Sequence, residues 1–339
     1  MSSRAKEWMF RLILLTGSLV VALVLTEVLL AAFFPLYGGR DNLTIDGTPI
    51  KEWFPPGTVY RQVSNEYDAR TTITPQGHRV PGANGNPDVV FLGDSFTYGF
   101  GLNDDETFAS IYCRDSGRAC ANLGMPGSGT AKQVRRLEQF VSTWHWKPRE
   151  VKLFFFGMSG SLSAGNDFVD NYNYARRMEQ AASEDGSAQD EEITGVAGQL
   201  IGSQEFLLNS SNLVRRLKYH WGPLLKTLLI DPPAEARMEQ ALRYTREGLA
   251  EFDALSRTLG FDYTIYLIVP VQDITRNSYR DTLAALNSVS PRPAVPTAEL
   301  FLDHPERFYY AYDGHLNAMG SRRVAEFLLA RDRGGDAPR

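Results

Sequence analysis

The sequence predicts an α/β domain, built on a parallel sheet with helices on both faces and preceded by one membrane helix. Short apolar segments alternate with amphipathic helical segments, a pattern typical of parallel sheets that are buried on both faces. An apolar stretch near the N-terminus, residues 12–34, is long enough to cross a bilayer. The chain has 339 residues, of which 43% are hydrophobic and 22% charged, so it is not a disordered protein.

Composition excludes several classes of partner. The formal net charge is −5, so no basic excess is available to neutralise a nucleic-acid backbone. The two cysteines and five histidines leave little material for a zinc or cluster site. We therefore expect neither a nucleic-acid partner nor a metal.

The apolar stretch contains a single charge, Glu27, and follows Arg4, Lys6 and Arg11. Positive charges before a span keep that end in the cytoplasm, so residues 1–36 are predicted to be a cytoplasmic N-terminus and signal anchor. The rest of the chain would then be periplasmic or extracellular. A cleaved signal peptide is the alternative, although no good small-residue cleavage site follows the stretch.

The exported part divides into three regions. Residues 37–85 have brief alternation and turn residues, which indicates an extension with short strands. Residues 86–332 form the main domain, and 333–339 a disordered tail. An insertion at about 170–235 contains an acidic run (183–192) and an apolar helical segment (213–228), and it is interpreted as a helical cap, a substrate lid or a membrane-surface contact.

The elements of the main domain follow in order. Strands are predicted at 88–93, 120–123, 151–156 and 263–269, with a fifth at 297–302. Helices are predicted at 105–113, 130–144, 238–259 and 317–331. Ligands of such sheets bind at the carboxyl ends of the strands, near the point where strand order reverses.

Cys113 and Cys120 lie close together in the exported part. An oxidising compartment favours a disulfide between them, which would tie a helix end to the next strand. Two buried free thiols are the alternative.

A candidate nucleophile and a candidate base lie near opposite ends of the domain's sequence. Gly93-Asp94-Ser95 ends the first apolar strand, where helix amides can stabilise an oxyanion, although a turn serine that caps a helix has the same pattern. Asp313 and His315 precede the last helix and could supply the base and the carboxylate that orients it. His304 is the competing histidine.

These residues form part of four blocks that resemble the SGNH/GDSL hydrolases. The first block is GDSFTYG, with Phe96 where many members have Leu. The second is NLGMPGSGT, in which Gly127 matches the family's oxyanion glycine better than Gly124 does. Gly165-Asn166-Asp167 resembles the third block, and DGHLN, with Asp313 and His315, the fourth. The blocks occur in family order, and the resemblance covers about residues 85–170 and 260–330.

The resemblance implies a flavodoxin-like three-layer α/β/α domain with five strands and ester hydrolysis without metal or organic cofactor. Ser95 would be the nucleophile, His315 the base and Asp313 its partner. The oxyanion hole would comprise the Ser95 and Gly127 amides and the Asn166 side chain. Two departures stand out: Asp313 and His315 are only two residues apart, and GMSGSLSA (157–164) separates the third strand from Asn166. If Asn166 is displaced, Ser159 or Ser161 could supply the donor.

The implied substrate is an O-acylated polysaccharide of the envelope or exterior, with acetyl as the expected acyl group and a lipid ester as second choice. An O-acyltransferase with the same triad is an alternative. Related exported acetyltransferases often carry their Asp-x-His pair before the serine, so the order here favours hydrolysis. A non-catalytic carbohydrate-binding scaffold is the alternative from another class, and the retention of all four blocks argues against it.

Overall fold

The computed structural model describes residues 3–33, 43–45, 48–49, 55–64, 66–82, 85–159, 166–183, 213 and 234–334. The chain divides into two compact units. The first contains Met1–Tyr37 and Glu184–Asp231, and the second contains Gly38–Ser183 and Pro232–Arg339. Of the predicted acidic run and apolar insertion helix, all but Ser183 and Leu213 lie outside the described residues.

The first unit contains helix α1, Ser3–Phe33. Within it, Glu7–Leu30 is long and apolar enough to cross a membrane. Most of its large apolar side chains are exposed, and such a surface is stable in lipid rather than in water. The helix is therefore a candidate membrane span or signal anchor, while its orientation remains a prediction.

The second unit is built on a parallel five-stranded sheet. Its strands are β5 (Val89–Gly93), β6 (Cys120–Asn122), β7 (Glu150–Phe156), β8 (Asp262–Ile268) and β9 (Val295–Pro296). They are arranged in the order β6-β5-β7-β8-β9. The first strand of the sheet thus has the second on one side and the third on the other, which is the flavodoxin-like order with its switch point at β5.

Eight helices of the described chain belong to this unit. They are α2 (Ser95–Tyr98), α3 (Phe108–Ser116), α4 (Thr130–Trp144), α5 (Asp167–Ser183), α6 (Ala234–Leu259), α7 (Val271–Thr275), α8 (Tyr279–Asn287) and α9 (Ala318–Asp332). Helix α9 packs against α3, whereas α4, α5 and α6 pack against one another.

The two helix groups cover opposite faces of the sheet. Side chains alternate between the faces along a strand. Phe154 contacts Phe108 of α3, at 4.6 Å between ring centroids, and the next residue, Phe155, contacts Phe168 of α5 at 4.7 Å. The predicted three-layer α/β/α fold is confirmed, with apolar strands buried on both sides.

Two predicted elements are wrong in detail. The segment predicted as the fifth strand, 297–302, contains a 3₁₀ turn over Ala298–Phe301, and the edge strand is the shorter Val295–Pro296 before it. Helix α3 begins at Phe108 rather than 105 because the Thr107 hydroxyl caps it, accepting a hydrogen bond from Ser110 N at 3.1 Å.

The N-terminal part of the second unit forms a separate antiparallel sheet. Its strands are β1 (Leu43–Ile45), β2 (Thr48–Pro49), β3 (Val59–Val63) and β4 (Asp68–Thr72), in the order β2-β1-β3-β4. Strands β3 and β4 pair as a hairpin, with Val63 opposite Asp68. The turn of this hairpin reaches the site described below.

Cys113 and Cys120 form a disulfide, with their Cα atoms 5.9 Å apart. The bridge joins α3 to the first residue of β6.

Candidate active site

Ser95 lies at the carboxyl end of β5, at the switch point of the sheet, and begins α2. Asp94 precedes it and caps this short helix, because its Oδ1 accepts a hydrogen bond from Phe96 N at 2.9 Å. The turn is tight. A Cβ atom on Gly93 would lie 2.7 Å from the carbonyl oxygen of Phe154 and closer still to Thr97, so only glycine fits there.

His315 and Asp313 come from the loop before α9. The His315 Nε2 atom lies 2.7 Å from Ser95 Oγ, and its Nδ1 atom lies 2.5 Å from Asp313 Oδ1. The two hydrogen bonds link the three side chains in the order serine, imidazole and carboxylate, which is the arrangement of a Ser-His-Asp triad. The side chains of His315 and Asp313 are each 20% exposed, so a substrate could reach them.

The two-residue spacing of Asp313 and His315 depends on a tight loop. Tyr310 N donates to the carbonyl oxygen of His315 at 2.8 Å, and Gly314 N donates to that of Tyr310 at 3.1 Å. Gly314 has φ +83°, a left-handed conformation that glycine adopts without strain. The loop therefore returns on itself and brings the two side chains together without an additional residue.

The charge of Asp313 is stabilised within the site. Burial alone would raise the pKa of its carboxyl group, but the hydrogen bond and charge of His315, with a further bond from Tyr67, leave the pKa below its ordinary value. Asp313 is thus an ionised acceptor for the hydrogen on His315 Nδ1.

The residues predicted for the oxyanion hole lie in the loops after β6 and β7. Asn166 is 2% exposed and caps α5, with Oδ1 accepting from Val169 N at 3.2 Å. Gly127 has φ +65° and follows Met125, whose amide donates to Gly93 O at 2.9 Å. The segment after β6 is thereby hydrogen-bonded to the end of β5, beside the turn that carries Ser95. The role of both residues as oxyanion donors remains a prediction.

Gly124, the alternative glycine, has a packing role. A Cβ atom there would meet the backbone nitrogen of Tyr98 at 2.2 Å, so the glycine allows the loop to pass close to α2.

Ser159, predicted as an alternative oxyanion donor, is hydrogen-bonded to other side chains. Its Oγ donates to Asp273 Oδ1 at 2.9 Å and lies 2.7 Å from Ser278 Oγ. The Ser159 amide also donates to Asp273, at 2.6 Å. The buried Asp273 carboxylate therefore fixes the start of the segment GMSGSLSA (157–164), which follows β7. Ser161 lies outside the described residues.

Three carboxyl groups near Ser95 interact electrostatically. Burial raises the pKa of Asp94 to about 6 and that of Asp170 to about 6. Burial, with the charges of Asp94 and Asp170, raises the pKa of Asp167 well above its ordinary range. Asp167 accepts from Gln133 Nε2 at 3.3 Å. Proximity and burial thus favour the protonated form within this cluster.

The competing histidine does not reach Ser95. His304 is 73% exposed and lies 3.3 Å from Glu306. His78 is fully buried between Phe140 and Trp146, and burial lowers its pKa to about 4. It is a neutral core residue.

Arg79 supports the site and was not predicted. It is completely buried and donates to the carbonyl oxygens of Tyr98, at 2.9 Å, Gly99, at 2.5 Å, and Leu102. Its Nε lies 3.6 Å from Asp104. The arginine therefore fixes the chain directly after α2. A single arginine in an irregular segment has no sequence signal that would reveal this role.

Among the described residues, no group of three or more histidine, cysteine, aspartate or glutamate side chains is placed to hold a metal ion.

No protein-family profile matches the chain, and no curated protein matches it. Similar solved structures include a G-D-S-L family protein from Desulfitobacterium hafniense, with 14% identity, a TM-score of 0.37, and 71% of this chain and 97% of that chain covered. A catalytic mutant of an acetylxylan esterase from Geobacillus stearothermophilus has 13% identity and a TM-score of 0.36, with coverage of 76% and 98%.

Proposed function

We propose that the protein is a serine ester hydrolase of the SGNH/GDSL kind, anchored to the membrane through α1. The observation that supports this most strongly is the continuous hydrogen-bonded chain from Ser95 through His315 to Asp313, with lengths of 2.7 and 2.5 Å. A nucleophile bonded to a base that is itself oriented by a carboxylate is the arrangement used for acyl transfer. Its position at the switch point of the sheet supports the same interpretation.

In the first step Ser95 Oγ attacks the acyl carbonyl carbon while its proton moves to His315 Nε2. Asp313 stabilises the imidazolium that forms. The tetrahedral intermediate collapses when His315 returns the proton to the leaving alcohol, which leaves Ser95 acylated. Water then attacks the acyl group, with His315 again as base, and releases the acid and free Ser95.

Negative charge develops on the carbonyl oxygen in both tetrahedral intermediates. The Ser95 and Gly127 amides and the Asn166 side chain would donate hydrogen bonds to it. The cap fixes the orientation of the Asn166 side chain, because Oδ1 accepts a hydrogen bond from Val169 N at 3.2 Å.

The proposed substrate is an O-acylated, most simply O-acetylated, polysaccharide of the cell envelope or exterior. Tyr312 supports a carbohydrate rather than a lipid chain. It is 90% exposed, lies next to Asp313, and its backbone nitrogen is held by Glu66 at 3.0 Å. An exposed aromatic ring on a fixed loop offers a flat apolar face to a sugar ring, whereas a lipid tail would need a deep apolar cleft.

The test measures acyl release by the full chain in detergent. We expect acetate from p-nitrophenyl acetate and from acetylated xylo-oligosaccharide, but little fatty acid from a triacylglycerol. Ser95→Ala should lower the esterase rate at least about 10⁴-fold. Ser142→Ala, which changes an exposed serine of α4, should leave it unchanged. Transfer of acetyl to an added oligosaccharide, with no free acetate, would instead establish an acyltransferase.

A further inference from the structure

Ser64, Glu66 and Tyr67 of the β3–β4 hairpin are joined by hydrogen bonds, and the side chains of Glu66 and Tyr67 reach the candidate active site. Ser64 Oγ accepts hydrogen bonds from the backbone nitrogens of Glu66, at 3.0 Å, and Tyr67, at 3.2 Å. Ser64 N in turn donates to Tyr67 O at 2.9 Å. The turn thus fixes the backbone of Glu66 and Tyr67.

The Tyr67 hydroxyl reaches the carboxylate that orients the base. It donates to Asp313 Oδ2 at 3.1 Å, while Asp313 Oδ1 bonds His315 Nδ1. With both oxygens engaged, the carboxylate cannot rotate about its Cβ–Cγ bond without losing a hydrogen bond. Burial and the charge of Asp313 raise the pKa of Tyr67, so the hydroxyl keeps its proton and acts as the donor.

The ring of Tyr67 is wedged between two loops of the site. On the nucleophile side, it meets Phe100 edge-on at 6.0 Å, and a Cβ atom on Gly101 would lie only 2.8 Å from it. On the acid side, it lies 5.1 Å from the ring of Tyr310, whose hydroxyl donates to Gly101 O at 2.9 Å. The ring therefore links the loop after Ser95 to the loop that carries Asp313.

Glu66 holds the backbone of the acid loop. Its carboxylate accepts hydrogen bonds from three successive amides, those of Ala311 at 2.5 Å, Tyr312 at 3.0 Å and Asp313 at 2.8 Å. Consecutive amides that converge on one anion form a concave binding site of the nest type. Here the anion belongs to the same chain but is 247 positions distant along it.

We infer that Tyr67 and Glu66 are positioning residues of the triad, and that the N-terminal hairpin is a functional part of the active site. Tyr67 orients the Asp313 side chain and Glu66 its backbone. This inference rests on the proposed function. It assigns the β3–β4 hairpin a role in catalysis. If the hairpin served only for packing, the polar groups of its turn could be removed without loss of kcat.

The test compares variants of the full chain in detergent. Tyr67→Phe keeps the ring and removes the donor, so we expect kcat for p-nitrophenyl acetate to fall about tenfold or more, with KM within twofold. Without that donor the Asp313 carboxylate can rotate away from His315 Nδ1 and stabilises the imidazolium less, so the acidic limb of the kcat/KM profile should move to lower pH. The nearby charged groups Asp94 and Glu66 are unchanged by the substitution.

A matched control is provided by Tyr263, whose hydroxyl donates to Asp253 at 2.7 Å, a contact between β8 and α6. Tyr263→Phe removes the same kind of hydrogen bond and should change neither kcat nor the pH profile. Glu66→Ala should lower kcat, and Glu66→Gln, which keeps an acceptor oxygen, should restore part of it. Rates of the variants that keep Ser95 are normalised to the fraction of chain labelled by a fluorophosphonate at completion, which removes the contribution of unfolded protein, and the rate of Ser95→Ala is given per total protein.

A Tyr67→Phe enzyme with kcat within twofold of wild type and an unshifted pH profile would overturn the inference. The inference also fails if Tyr263→Phe lowers kcat as much, because the effect would then be one of general stability. Ser95→Ala, measured in parallel, separates failure of this inference from failure of the proposed function. If it is inactive while Tyr67→Phe is normal, only the inference fails, and if it is active, the proposed function fails as well.

Discussion

Replacing Asn166 by alanine separates two roles of its side chain, the helix cap seen in the structure and the proposed oxyanion donor. Its Oδ1 caps α5 through Val169 N at 3.2 Å, and its amide nitrogen is the proposed oxyanion donor. Loss of the cap should lower the free energy of unfolding by about 1 kcal/mol, which leaves the protein folded. Loss of the donor should lower kcat by about 10²–10³-fold, or about 3–4 kcal/mol of transition-state stabilisation. KM should change little, because the bond strengthens only as charge develops.

The assay is steady-state hydrolysis of p-nitrophenyl acetate, with denaturant unfolding of the same preparations. Thr107→Ala serves as the control, because Thr107 caps α3 through Ser110 N at 3.1 Å. It should lose about as much stability as Asn166→Ala while keeping its kcat. If Asn166→Ala also retains kcat within about threefold, the side chain is only a helix cap, and the oxyanion hole depends on the Ser95 and Gly127 amides.

Three further predictions concern the triad, the buried carboxyl groups and the disulfide. Asp313→Asn should lower kcat by about 10⁴-fold with KM retained, because the amide favours the wrong tautomer of His315; steady-state kinetics check this. Because burial raises the folded-state pKa of Asp167, its carboxyl group stabilises the fold least at high pH. Asp167→Asn should therefore raise the free energy of unfolding more at pH 8 than at pH 5, as measured by urea denaturation at both values, and an equal effect would contradict the raised pKa. Thiol titration of the unreduced, denatured chain should find no free thiol, because Cys113 and Cys120 are bridged, and reduction should cost about 2–3 kcal/mol of stability.

Local patterns predicted the sheet well because its strands carry their own signal. The segment Val89–Gly93 is completely buried, and its apolar residues are what a strand covered on both faces requires. The segment 297–302 also contains several apolar residues but lies beyond the short edge strand, where the chain turns and buries Leu300 and Phe301 in a 3₁₀ turn. Apolar content alone could not distinguish these two forms of burial.

The candidate triad could be predicted because its residues lie in compact blocks, whereas its supports could not. Glu66 and Tyr67 lie in a turn whose residues are ordinary for a hairpin, and their partners are about 245 positions away. Lys152 is similar: it interrupts an apolar strand in the sequence, yet it is fully buried and paired with Glu150 and with Asp332, at 3.0 Å, near the end of α9. Pairings of this kind depend on the tertiary fold and leave no periodicity in the sequence.

The central claim is that Ser95 is a nucleophile activated by His315, and covalent labelling tests it most directly. The full chain in detergent is treated with a fluorophosphonate, digested, and analysed by mass spectrometry for the modified residue. We predict a single adduct, on Ser95, formed at least about 10³-fold more slowly in His315→Ala, which lacks the base 2.7 Å from Oγ. An adduct on another serine, or labelling of Ser95 at the same rate without His315, would contradict it.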